Sequence, residues 1–161
     1  MKNKTAENAR RYKVLREMGR GYETGDFSGL YPYLRKGCVM TSCWVLSCLL
    51  GPGAIVNYYN GKGEELRRRD CLARTTVVEL LDDKTRADRD EISASGEAAG
   101  GGRVGIQYEP GKYCLLVEQT VSGVEISILV DVQLDEEGMV RRIHLCDPTM
   151  FHLTKKVAIN I

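Results

Sequence analysis

The chain has 161 residues, 43% hydrophobic and 28% charged, with 23 basic against 22 acidic side chains and a formal net charge of +1. That length suits one compact domain, read here as 1–161, burying about 70% of its unfolded surface. The even charge balance excludes the strongly basic face of a nucleic-acid binder or a polybasic membrane binder. The densest apolar window, Cys43 to Leu50, is too short to span a bilayer.

The N-terminus is basic but has no apolar core and no small-residue cleavage site, so it does not read as a secretory signal. The expectation is a cytoplasmic protein in a reducing compartment, with free thiols at Cys38, Cys43, Cys48, Cys71, Cys114 and Cys146. No two of them form a CxxC pair, and the five-residue repeat of the first three fits neither a zinc knuckle nor one helix face. His144 and His152 are eight residues apart and make no HExxH motif. These spacings predict small buried hydrophobes, no metal and no cofactor.

In chain order, Thr5 is placed to cap a first helix, with Glu7 in its first turn and Tyr12, Leu15, Met18 and Tyr22 on one stripe. Gly25-Asp26 ends it. A second, short helix is expected from Ser28 through Leu34, limited by Pro32. Residues 38–44 read as a short strand. Gly51-Pro52 opens a third helix, whose buried side holds Ile55, Tyr58, Tyr59 and Leu66.

From residue 71 the apolar period changes from 3.6 to 2. Residues 71–81 predict a long strand rich in β-branched side chains. The polar stretch 82–103, with six acids, four bases and three glycines in a row, is too long for a plain connection. It predicts a mobile flap or a short extra element. Three hairpins follow: 103–109 against 112–121 across Pro110-Gly111, then 124–134 after Ser122-Gly123, then 139–146 after the turn at Asp135 to Gly138. In 124–134, Val124, Ile126, Ile128, Val130, Val132 and Leu134 alternate with more polar positions, giving one buried face. The expected class is α+β: three N-terminal helices packed in a strongly curved, mostly antiparallel sheet of about six strands.

Three phrases then carry a resemblance: Tyr22-Glu-Thr-Gly-Asp-Phe-Ser-Gly-Leu30, Gly51-Pro-Gly-Ala-Ile-Val-Asn-Tyr-Tyr59 and Leu134-Asp-Glu-Glu-Gly-Met-Val-Arg-Arg-Ile143. Over about residues 5–147 the chain resembles the nuclear transport factor 2-like superfamily, which includes SnoaL-like polyketide cyclases and ketosteroid isomerases. The resemblance implies a cone-shaped, cystatin-like α+β roll around a hydrophobic pocket, often in a homodimer, and in many members activity on small hydrophobic substrates. Its motifs specify a fold well and a function poorly.

The isomerase branch implies a test. Its oxyanion-holding tyrosine would fall on Met18, its aspartate base on Ser42, and its protonated late aspartate on Val130, with Asp131 one residue away. Only Tyr59 matches a tyrosine of that pattern. The departures argue against steroid-isomerase chemistry.

Tyr22, Ser42, Trp44, Tyr59 and Glu118 are the residues expected to line a pocket. Each has a plainer alternative. Trp44, the single tryptophan, serves equally as a core filler, and Tyr58 and Tyr59 cannot both face inward. Glu118 and His144 are the weak candidates for proton transfer. An exposed cross-strand charge is the commoner role for Glu118, and more so for Asp131, and a surface or dimer-face position is the commoner one for His144. Arg67 to Arg69, flanked by acids, read as a solvated helix end.

Three function classes follow: a small-molecule-binding domain, a cofactor-independent isomerase, cyclase or dehydratase, and a protein-binding module. The last would use the outer sheet face and the C-terminal extension 148–161. The expected partners are a small hydrophobic molecule and a second copy of the chain, with no nucleic acid and no membrane.

Overall fold

The computed structural model describes residues 4–44, 48–83 and 111–153. Helix α1, Lys4–Thr24, turns Val14, Leu15, Met18 and Tyr22 inward, as its spacing predicts. It stops at Gly25, whose φ of +83° suits a residue without Cβ and whose N–H donates to Gly21 O at 2.7 Å. The expected second helix is a six-residue 3-10 stretch, Ser28–Tyr33, because Pro32 leaves no room for an α-helical ladder.

Strand β1, Leu34–Ser42, begins and ends earlier than the expected 38–44, so Trp44 lies beyond it in a bend. After the two-residue β2, Leu49–Leu50, helix α2 runs Pro52–Arg68. Ile55, Val56, Tyr59 and Leu66 form its buried side, while Tyr58 is 44% exposed. At Gly63 the helix meets the backbone of Gly25, an approach that any Cβ would block.

Strands β3 (Arg74–Asp83), β4 (Tyr113–Val121), β5 (Val124–Leu134), β6 (Val140–Cys146) and β7 (Phe151–Leu153) complete the sheet. Their order is β2-β1-β6-β5-β4-β3-β7, with β1 and β6 parallel and the other pairs antiparallel. The class is α+β, as expected. Register shifts between Leu34 and Val39 of β1, and between Gln133 and Leu134 of β5, bend the sheet. Positive φ at both Ser122 and Gly123 makes the tight two-residue β4–β5 turn. Asp135 Oδ1 accepts from Glu137 N and Met139 N in the turn before β6.

Residues 112–121 are expected to pair with 103–109; among the described residues β4 pairs with β3 on one side and β5 on the other. Gly111 itself donates to Leu80 O of β3 at 2.8 Å. Residues 103–109 lie outside the described residues, as does all of the 82–103 insertion except the end of β3. Of the 148–161 extension, a 3-10 turn at Pro148–Met150 and β7 are described; β7 adds an edge strand beside β3.

The two faces of the sheet differ. Toward the helices stand Val77, Leu115, Val117, Ile128, Val130, Val132, Ile143 and Leu145, packed on α1 and α2. The opposite face has a second apolar cluster of Val78, Leu80, Cys114, Leu129 and Cys146. Both are buried.

Candidate functional site

Inside the cone, α1 and α2 bring two tyrosines together. Tyr22 OH donates to Tyr59 OH at 3.2 Å. Phe27, from the turn after α1, stacks on Tyr59 with ring centroids 4.4 Å apart and meets Tyr22 edge-on at 5.1 Å. Burial pushes both phenols well above their ordinary range, so both remain neutral hydroxyls. Around them Met18, Leu30, Ile55 and Val130 have no accessible surface. These side chains and the three rings pack against one another in one core cluster.

The five expected lining residues do not converge. Tyr22 and Tyr59 meet at the centre. Ser42 is at the end of β1, where its hydroxyl accepts from Trp44 N at 3.1 Å, and Trp44 is 54% exposed. Glu118 is on the opposite face of β4, across from Arg74 on β3 and Ser127 on β5. There it borders a groove of about 240 Å³ between residues 70–72 and the β4–β5 hairpin. Of the isomerase positions, Met18, Ser42 and Val130 hold no acid or phenol. Asp131 points away from the cone, as strand alternation requires.

Asp131 corrects a second expectation, because it is buried rather than an exposed charge. Its Oδ1 accepts from Lys112 Nζ at 2.7 Å and from the Cys114 thiol at 3.8 Å, while Oδ2 has no hydrogen-bond partner. Burial pushes this carboxyl up and the Lys112 ammonium opposes the shift.

His144, opposite Asp131 on β6, is also buried rather than on a surface. Arg142 Nη2 donates to Thr41 Oγ1 at 3.2 Å, and that hydroxyl is 2.6 Å from His144 Nδ1. Arg142 occupies one lone pair of the hydroxyl oxygen, and the direction of the Thr41–His144 bond follows the imidazole tautomer. Burial, Arg142 and Lys112 bring the imidazole down to about 4.

Sequence reasoning did not find this polar layer. The signal was Asp131 itself: a single acid between Val130 and Val132 in a long apolar-patterned strand has to find a cation or lose its charge if that strand is covered on both faces. Among the described residues no group of three His, Cys, Asp or Glu is placed to hold a metal ion, and no helix is long and apolar enough to cross a membrane.

No protein-family model and no curated protein matches the chain. Solved structures do. A de novo designed protein with a curved β-sheet is 16% identical over 88% of each chain, with a TM-score of 0.52. A cystatin-like protein from Silicibacter pomeroyi is 11% identical over 85% of this chain and 76% of its own, at 0.50. A protein from Kribbella flavida, provisionally assigned as a ketosteroid isomerase, is 8% identical over 96% and 86%, at 0.52. The chain therefore shares the curved-sheet, cystatin-like α+β fold of these structures. Identities this low define the fold alone, and one of the three is a design, so the fold assigns no reaction.

Proposed function

We propose that this protein is a binding module that pairs with a second copy of itself through the free end of the β4–β5 hairpin, rather than an enzyme. One observation carries the reading. Val124 and Ile126 continue the apolar face that Ile128, Val130 and Val132 bury, yet they are 61% and 41% exposed. Helix α1 ends level with Ala73, whose N–H donates to Tyr22 O, and leaves the hairpin end uncovered.

Leu72, 38% exposed, stands beside them at the groove of about 240 Å³. Ile126 also borders that groove, with Arg74, Asp70, Glu118 and Glu125 around it. A two-fold axis at the hairpin end would set Val124 and Ile126 of one copy against those of the other. The close packing of Tyr22, Phe27 and Tyr59 adds support, and so do Glu118 and His144, the two proton-transfer candidates, which both face away from them.

Light scattering across a concentration series tests this. The expected mass is twice that of the chain, falling to one chain when Val124→Lys and Ile126→Lys are combined, with an unchanged circular dichroism spectrum because both positions are exposed. A monomer at every concentration, or a dimer indifferent to the two lysines, overturns the proposal.

The Tyr22–Tyr59 hydroxyl pair favours a second reading, a small hydrophobic ligand held in the cone. The aromatic cluster would have to part to admit it. A thermal-shift screen with hydrophobic acids, phenols and steroids checks that reading. A ligand at 100 times its Kd would raise the midpoint by roughly 5–10 °C, and the shift should vanish in Tyr59→Phe. A flat screen leaves the self-association reading in place.

A further inference from the structure

Cys43 stands one residue beyond β1. Its N–H donates to Leu145 O at 2.9 Å, the bond a parallel ladder makes when Cys43 lies opposite Cys146. The printed register agrees: Thr41 opposes His144 and Ser42 opposes Leu145, so the next pair is Cys43 and Cys146. Thr41 and His144 touch through their side chains on the outer face. Two residues further along each strand, the cysteines therefore point to that same face.

Neighbouring strands are about 4.8 Å apart, within the range of roughly 4.4–6.8 Å between Cα atoms that a disulfide needs. Cβ atoms on parallel strands must still close by about 1 Å. Cys43 is where that can happen, because it lies in the bend past the last strand residue.

We propose that Cys43 and Cys146 form a disulfide when a low-molecular-weight disulfide such as oxidised glutathione is supplied. Exposed Cys43 attacks first. As its thiolate, it forms a bond to one glutathione sulfur, the glutathione S–S bond breaks, and the released thiolate takes up a proton. Cys146, buried and donating to Leu129 O at 3.6 Å, then turns, loses its proton and attacks the Cys43 sulfur. The second glutathione leaves. Two protein thiols are oxidised and one small disulfide is reduced to two thiols.

Burial pushes both cysteine thiols up, so the reduced pair is not held as thiolates. Each is also a poor leaving group, which makes the closed bridge slow to reopen. The bridge would tie the end of β1 to the end of β6, from which the Pro148–Met150 turn packs against β5.

The full chain is incubated in glutathione buffers of increasing oxidised fraction, quenched with acid, and read by intact mass and non-reducing peptide mapping. The expected product is two hydrogens lighter and links the peptides of Cys43 and Cys146. In Cys146→Ser the reaction should stop at a glutathione adduct on Cys43, and in Cys43→Ser Cys146 should stay unmodified. A lasting adduct on Cys43 in the wild type, or a link from Cys43 to exposed Cys48, overturns the proposal. Should Cys146→Ser not fold, the wild-type map and the exposed-site variant Cys43→Ser decide the matter.

Discussion

The two faces of one sheet solve burial in opposite ways. Toward the helices the sheet buries mostly hydrocarbon, with two neutral phenols that share one hydrogen bond, and Arg11 of α1 is buried there against Glu7. On the outer face the same strands bury Lys112 against Asp131 and a neutral imidazole under Arg142 and Thr41, among Val78, Leu80 and Leu129. The first face is tolerant, because apolar packing is non-directional. The second depends on every partner being present, since a charge left alone in low dielectric has nothing to replace its hydration.

The sharpest way to break the contrast is to remove one charge of the pair. Asp131→Ala leaves Lys112 buried and unpaired and should cost about 3–5 kcal/mol in urea unfolding. Replacing both, with Asp131→Leu and Lys112→Met, should recover most of that loss. A double variant as unstable as the single one would mean that the pair itself holds the strands in register.

The imidazole gives a smaller effect with a definite sign. His144 titrates at about 4 in the folded chain and near 6.5 when unfolded. Between those values the unfolded chain binds more protons, so stability rises with pH across the window and is lost as pH falls from about 6.5 to 4. The loss should be at most about 3 kcal/mol. Asp131, whose carboxyl is pushed up, pulls the other way at the acid end, because there the folded chain holds the extra proton. The difference between wild type and His144→Gln isolates the imidazole; a flat difference curve would contradict a neutral, buried ring.

The smallest effect belongs to the inner face. Tyr59→Phe keeps the ring stack on Phe27 and deletes one hydroxyl, so it should cost about 1 kcal/mol by thermal melting. A loss as large as that of Asp131→Ala would erase the difference between the faces.

Local signals were legible in the chain itself. Gly25, the Gly51-Pro52 start, the Ser122-Gly123 turn and the stripe of Leu15, Met18 and Tyr22 each answer to a constraint satisfied within a few residues. The candidate site was much less legible. Tyr22 and Tyr59 could be named, and the register then brought them together. Ser42, Trp44 and Glu118 do not join them, because β1 ends at Ser42 and Glu118 stands on the face of β4 turned away from Leu115 and Val117.

Periodicity shows that a strand has two faces; it does not show which neighbour covers each. Val124 and Ile126 carry the same alternation as Val130 and Val132 and end up uncovered, because the end of α1 decides how far the cover extends. Likewise Asp131 reads as a surface charge until β4 places Lys112 beside it.

By itself, the sequence determined the helices, the turns, the alternating strands and hence the α+β class, since these depend on contacts between near neighbours. Only the tertiary structure decided that Tyr22 meets Tyr59, that the outer face has a buried ion pair, and that the end of β1 lies beside the end of β6. Those depend on strand order and register, which join residues from about twenty to about a hundred positions apart and leave no periodic trace in the chain.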